Sequence, residues 1–393
     1  MNRSLYVLVA AQFLSAFGDN AILFTVIAMV LQAGAQKAWY VPALQSVFLI
    51  AYVALAPWVG TLADRLPKPR VMVFANLVKA LGGLAILLGL EPLISYGIIG
   101  IGAASYSPAK YGVLPELTGT EHLVKANSWV EGATIAAMLL GTVGGARLAD
   151  ASVPIALVVV VVLYLISAAA VLLLPKLPAR GIGSGSGLAK LIALAKGLLG
   201  SERARLVLLA LSLFWDCAAT LRVVLVAWAP EVLQLHTATD VAELTLFLAV
   251  GIVIGSGVVP RLIPLEHVRR TRFAAYCLGA LFLMLTAVNG IWEARAALLG
   301  VGVAGGIFVV PLNAAIQQIG HRTVGSGGAV AVQNFFQNGA ILAAMGIYTA
   351  AAARGIGSVE TIFTLGTLVA ALTVLVSVRL PDQPAVVTGA RRS

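Results

Sequence analysis

The sequence predicts an all-α membrane protein of twelve transmembrane helices, arranged as two pseudo-symmetric six-helix halves. Three observations lead there. Twelve apolar segments fill the 393 residues, most of them about twenty residues or longer, which suits a hydrocarbon core of roughly 30 Å. The composition is 60% hydrophobic and 11% charged, with a mean hydropathy of +0.98, whereas an average soluble domain carries roughly 25% charged residues. The halves also repeat. Phe17-Gly18-Asp19-Asn20-Ala21 matches Phe214-Trp215-Asp216-Cys217-Ala218, and Glu131-Gly132-Ala133-Thr134-Ile135-Ala136-Ala137-Met138 matches Asn338-Gly339-Ala340-Ile341-Leu342-Ala343-Ala344-Met345. Six-helix repeats related by an axis along the membrane normal are the organisation of transporters that hold substrate between the halves.

Taken in order, the apolar runs between charged or Pro/Gly-rich breaks predict helices near 5–31, 41–63, 71–90, 93–113, 123–149 and 153–175. The second set lies near 206–232, 241–263, 273–290, 296–316, 327–351 and 358–380. The first run is too long for a signal peptide, holds Asp19 and lacks a small-residue cleavage pattern. The stretch 176–205 separates the halves 1–175 and 206–393. It begins with the linker composition Gly181-Ile182-Gly183-Ser184-Gly185-Ser186-Gly187. Leu188 to Gly200 follows, with Lys190 and Lys196 among leucines and alanines, and reads either as a short helix on the inner leaflet or as a plain structured linker.

The net charge of +10 is distributed by loop. Nineteen of the 26 basic residues fall on the side of the N-terminus, four (Lys37, Arg147, Arg295, Arg354) on the other, and Lys79, Lys110 and Arg222 lie within helices. This positive-inside bias puts both termini in the cytoplasm. Nucleic-acid binding would need one basic face with base-reading residues, which this pattern lacks. Cys217 and Cys277 read as small apolar side chains, and the four histidines have no ligand spacing, so neither a metal site, a cofactor nor an enzyme is expected.

Ionisable residues inside spanning helices mark partners or polar pathways. At 1.5 Å per residue, Asp19 lies about 21 Å and Arg222 about 24 Å from the inner ends of their helices. The two helices are repeat mates, so the pair reads as an outer gate or as a permanent bridge between halves. Lys79 and Glu131 each lie about 12 Å from the inner end, with Lys110 nearer still. With Asn76 and Asn127 one turn away, they form a half-pocket suited to a phosphate beside an amine. The second half offers neutral counterparts, Asn313, Gln317, Gln333, Asn334, Gln337 and Asn338. Gly251, Gly255, Gly257, Gly302, Gly305 and Gly306 either leave room for an apolar tail in a pocket open sideways to lipid, or let helices pack closely.

The turn Gly60-Thr61-Leu62-Ala63-Asp64-Arg65-Leu66-Pro67-Lys68-Pro69-Arg70 resembles the motif of the major facilitator superfamily at this point, although Pro67 stands near the family's second glycine. The resemblance implies that Asp64 and Arg65 are gate residues; a topology-setting basic loop with a capping aspartate is the other reading. Tyr106-Ser107-Pro108-Ala109-Lys110-Tyr111-Gly112-Val113-Leu114-Pro115-Glu116-Leu117 resembles the bacterial lysophospholipid transporter family, as do Phe13-Leu14-Ser15-Ala16-Phe17-Gly18-Asp19-Asn20, Thr220-Leu221-Arg222, Val309-Val310-Pro311-Leu312-Asn313-Ala314 and Ala331-Val332-Gln333-Asn334. That resemblance implies an inner-membrane flippase. It would move lysophospholipids with ethanolamine or glycerol heads from outer to inner leaflet, where a separate acyltransferase (acyl-ACP synthetase) re-acylates them. Lys79, Lys110, Glu131, Asn76, Asn127, Asn20, Asn313 and Asn334 are the expected substrate contacts, and Asp19, Arg222, Asp64 and Arg65 the expected gates. The alternative is a proton-coupled drug or metabolite antiporter using Asp19 or Glu131 as the proton carrier.

Overall fold

The computed structural model describes residues 3–33, 38–118, 123–175, 177, 187–262, 270–324 and 326–379. Among them are thirteen helices: α1 Arg3–Gln32, α2 Tyr40–Arg65, α3 Lys68–Leu87, α4 Pro92–Thr118, α5 Leu123–Ala151, α6 Val153–Leu172, α7 Gly187–Leu199, α8 Glu202–Leu233, α9 Ala238–Leu262, α10 Thr271–Leu285, α11 Ile291–Thr323, α12 Ser326–Ala353 and α13 Ser358–Arg379. Every expected segment has its helix, and α7 is the short helix expected in the central linker. Eight are long and apolar enough over their described residues to cross a membrane, and α10 and α13 hold shorter apolar runs. A helix satisfies its own backbone, which is what a chain in hydrocarbon requires.

The largest departures lie around α11. It begins at Ile291 rather than near 296, because a helix continues through charges that a hydropathy pattern treats as its end; Glu293 in its first turn suits the positive end of the helix dipole. It also runs on to Thr323. α10 stops at Leu285, where Thr286 Oγ1 donates to the Leu283 carbonyl and the chain turns through Asn289-Gly290.

The chain forms two compact units. The first comprises 1–193, 219–246 and 334–361, the second 194–218, 247–333 and 362–393. This grouping cuts across the expected halves: Arg222 of α8 bonds to α1, the start of α9 bonds to α5, through contacts described below, and Ser358 Oγ donates to Glu231 at 2.6 Å.

In the first unit α1 packs on α5 and α6, α3 on α4 and α6, and α2 on α4. Lipid tails are as apolar as leucine, so these interfaces rest on close packing and hydrogen bonds rather than on escape from water. Small residues allow the approach. A Cβ on Gly141 would meet the Phe17 carbonyl oxygen at 2.6 Å, and one on Gly145 would strike Ala21. Leu8, Met72, Ala75, Ala109, Leu114, Val130 and Val171 close a core among α1, α3, α4, α5 and α6.

In the second unit the glycines expected to give either tail room or packing give packing. Gly251 and Gly255 lie against the α11 backbone at Leu299–Val303, Gly302 and Gly306 against the α9 backbone at Leu248–Ser256, and Gly305 against the Phe214 ring. Of the six, Gly257 alone has open space where a side chain would be. α7 packs its Leu194 and Gly197 against Gly328 and Val324, and leaves Leu188, Lys190, Ile192 and Lys196 exposed.

This contrast is testable. Gly302→Ala should lower the melting temperature of the detergent-solubilised protein, because overpacking costs about 1–3 kcal/mol. Gly257→Ala should leave it unchanged or raise it, since alanine is favoured over glycine in a helix by about 1 kcal/mol. Equal melting temperatures would contradict the packing assigned to α9 and α11.

Candidate functional site

A buried charge network joins α1, α3 and α6. Lys79 is fully buried, and its Nζ donates to Asp19 Oδ1 at 2.9 Å, Asp19 Oδ2 at 3.1 Å and Ser15 Oγ at 2.5 Å. Tyr164 OH donates to Asp19 Oδ1 at 3.0 Å, and the Tyr106 and Tyr164 rings flank the ammonium, each centroid 4.9 Å away. Ser15 Oγ donates to Asn76 Oδ1, Asn76 Nδ2 to Ser167 Oγ, and Ser167 Oγ to the Ala11 carbonyl, at 2.9, 2.9 and 2.7 Å. The network needs glycine twice. A Cβ on Gly102 would strike the Lys79 stem, and one on Gly18 would strike the Tyr164 ring.

Asp19 therefore pairs with Lys79, and not with Arg222 as depth along the helices suggested. Successive residues leave a helix about 100° apart. Asp19 is turned into the seam with α3 and α6, where the four-carbon lysine stem bridges the difference in level. Arg222 of α8 meets the neighbouring residue instead: its Nη2 donates to Asn20 Oδ1 at 3.3 Å, its guanidinium carbon lies 5.4 Å from the Phe24 ring centroid, and its buried Nε has no hydrogen-bond partner. Asn20, expected at the substrate, is thus bound to Arg222, expected as a gate. Asn76, expected at a head group, has both amide atoms in the seam and is fully buried.

Lys110 and Glu131 form a second, more open group. Lys110 is 6% exposed, and no carboxylate lies within ion-pair distance of it among the described residues. Its Nζ stands 4.1 Å from the centroid of the Tyr111 ring. Tyr111 OH in turn donates to Glu131 Oε1 at 2.5 Å. Sequence pattern alone assigns Tyr111 no role, although an aromatic beside a membrane-embedded lysine is a signal. On another face of α5, Val9, Trp129, Gly132, Ala133 and Ala136 line an apolar cavity of about 420 Å³ on α1 and α5.

Asn313 accepts from Gln333 Nε2 at 2.7 Å within the second unit, while Asn334 is exposed on α12. Asp216, the repeat mate of Asp19, makes no ion pair among the described residues and has an unpartnered Oδ1. Asp64, Arg65 and Asn127 sit on α2 and α5, and their side chains lie outside the described residues.

Within the first unit, the end where α5 finishes is fastened to the start of α9. Asp150 of α5 accepts from two backbone amides at the start of α9, Ala238 to Oδ1 at 3.0 Å and Thr239 to Oδ2 at 2.7 Å. One turn earlier, Arg147 Nη2 lies 3.3 Å from Glu243 Oε1. The sequence reading missed Asp150. Its signal was an acid in the last turn of its own helix, where the dipole disfavours it, and that same charge suits the N-terminus of another.

Residues 8–345 match the Major Facilitator Superfamily. The chain is 42% identical over 374 residues to the lysophospholipid transporter LplT of Photorhabdus laumondii subsp. laumondii, and 43% identical over 373 residues to that of Escherichia fergusonii; each alignment covers 94% of both chains. Among solved structures, it superposes on a POT family transporter in complex with 5-aminolevulinic acid with a TM-score of 0.75 at 13% identity, covering 96% of both chains. It superposes on the nucleoside transporter NupG at 0.74 and 13%, covering 97% of this chain and 100% of that one. Those two likenesses concern the fold alone.

Two outcomes follow from the network and the fastening. Asp19→Ala should destabilise the solubilised protein by about 3–5 kcal/mol, because it strands the Lys79 ammonium. Asp19→Asn combined with Lys79→Met should recover most of that loss in thermal unfolding. Asp150→Ala should speed labelling of a cysteine placed at Asn20 by a membrane-impermeant maleimide, with Cys217 and Cys277 replaced; an unchanged rate would show that Asp150 does not hold this end closed.

Proposed function

This chain belongs to the major facilitator superfamily and, within it, to the family of the LplT lysophospholipid transporters, and on that premise we propose that it moves lysophospholipids across the membrane it spans by alternating access. The observation that carries this reading is kinship at 42–43% identity over 94% of the chain. The geometry supports it with a buried cation that makes no ion pair among the described residues, Lys110, linked through the Tyr111 ring to an acid, Glu131, and with a separate apolar cavity on α1 and α5. A lysophospholipid presents one phosphate, one small head and one acyl chain, and each has a counterpart here by charge or polarity.

In this reading the phosphate is drawn to Lys110. Lys79 serves as the fixed charge that holds Asp19 while the site is empty. The acyl chain gains about 0.8 kcal/mol per buried CH₂ along apolar walls and need not leave the bilayer. The end closed by Asp150 and Arg147 is the outward-facing one, with both termini in the cytoplasm of a Gram-negative cell's inner membrane. It has to open once per cycle, with Asp19, Asn20 and Arg222 beneath it and Asp64 and Arg65 gating the opposite face. The chain itself performs no chemistry, and a separate acyltransferase consumes the delivered lipid.

One observation favours the proton antiporter as a second reading: Asp216 presents an unpartnered carboxylate oxygen in an apolar helix. Uptake of labelled lysophosphatidylethanolamine into proteoliposomes, with and without an uncoupler, separates the two. Uptake that persists without a proton gradient supports the flippase, and uptake that stops supports the antiporter. In the same assay Lys110→Ala should reduce uptake at least tenfold, the scale of losing one charge-assisted contact of about 1.5–3 kcal/mol. Wild-type uptake in that variant would place the phosphate elsewhere.

A further inference from the structure

We propose that Tyr111 is the residue that sets head-group preference, by offering its ring and its hydroxyl-bound acid to a substrate ammonium; this rests on the lysophospholipid reading above. The arrangement already contains an ammonium. Lys110 Nζ sits over the Tyr111 ring, 4.1 Å from the centroid, and the hydroxyl at the other end of that ring is tied to Glu131 Oε1 at 2.5 Å. An aromatic face attracts a cation through its quadrupole, most strongly where water is thinned out. Lys110 is 6% exposed, whereas Tyr111 is 43% exposed and Glu131 is exposed, so the ring and the acid face open space while the lysine is largely covered.

Among the described residues Lys110 makes no ion pair in that position, whereas Lys79 is bound to Asp19 and Lys68 to Glu116. A stack on one ring is a weaker tie than an ion pair, so of these three lysines Lys110 is the one most readily drawn away by an incoming phosphate. Its departure vacates the ring. A head group whose ammonium lies a few bonds from its phosphate then fills the vacated face, close to Glu131, and the site exchanges one ammonium for another at constant charge. A glycerol head brings no cation. It leaves the ring empty and Glu131 without a counter-charge, so the same movement of Lys110 is uncompensated. Ethanolamine heads are therefore favoured over glycerol heads, and the preference resides in Tyr111 rather than in Lys110, which serves both phosphates alike.

The test is competition between lysophosphatidylethanolamine and lysophosphatidylglycerol in proteoliposomes containing the full chain. It is read as the ratio of their initial uptake rates, which does not depend on how much folded protein each preparation contains. Tyr111→Leu should lower that ratio at least fivefold, with glycerol-head uptake staying within twofold of wild type. Tyr111→Phe keeps the ring and should retain most of the preference, and Glu131→Gln should lower the ratio in the same direction as Tyr111→Leu. An unchanged ratio in Tyr111→Leu, or an equal loss of both lipids, would overturn the assignment. So would a Tyr111→Phe variant that behaves like leucine, since the hydroxyl rather than the ring would then be responsible. Wild-type vesicles that move neither lipid would instead overturn the transport reading on which the inference rests.

Discussion

The ion pair between Lys79 and Asp19 is the constraint around which the first unit is arranged. An ammonium in an apolar bundle is costly unless it is both paired and hydrogen-bonded, and this one receives a carboxylate, a serine hydroxyl and two aromatic faces. Meeting that demand draws α1, α3 and α6 together. It also claims Ser15, Asn76, Ser167 and Tyr164, polar groups that would otherwise have been available to a ligand. With Asp19 committed, Arg222 settles on the amide of Asn20, and Lys110 remains as an embedded cation stacked on a ring. The division of labour among three embedded cations thus follows from which one reaches the aspartate.

Close packing determines where space is left. A helix pair in lipid gains little from burying leucine and much from backbone approach, and α9 and α11 use four glycines for that purpose. The consequence is that those glycines do not provide tail room in the second unit. The apolar cavity of about 420 Å³ lies instead against α1 and α5, where Gly132 has nothing within contact distance of a notional side chain.

The fastening at the far end of α1 and α5 is built from weak parts. The exposed pair of Arg147 and Glu243 contributes at most about 1 kcal/mol. The Asp150 carboxylate on two amides of α9 adds an amount on the scale of a helix cap, about 1 kcal/mol. Neither interaction commits a fully buried charge, so both can be exchanged for water without the penalty that would attend opening Lys79 from Asp19. The asymmetry suits a cycle in which the ends part while the seam inside the first half stays intact.

The helices were legible in the sequence because hydrocarbon permits few backbone solutions, and runs of about twenty apolar residues between charged breaks state their own length. The embedded charges were legible for the same reason, each being expensive enough to demand a role. Partners were another matter. Asp19 and Arg222 lie at similar depth on repeat-related helices, yet which face of α1 a carboxylate leaves by depends on a rotation of about 100° per residue and on the reach of a lysine from a third helix. The glycines of α9 and α11 announced an unusual surface without saying whether it would be filled by another helix or left open. Tyr111 became informative only when its ring was found beneath Lys110. Asp150 carried a visible clue, a charge at the unfavourable end of its own helix, but no pattern along the chain could name α9 as its partner. The sequence by itself determined the helices, their order and the inventory of buried charge, since those follow from the solvent and the local backbone. The tertiary structure alone decided the pairings and the space between helices, because these depend on rotation and distance between elements far apart in the chain.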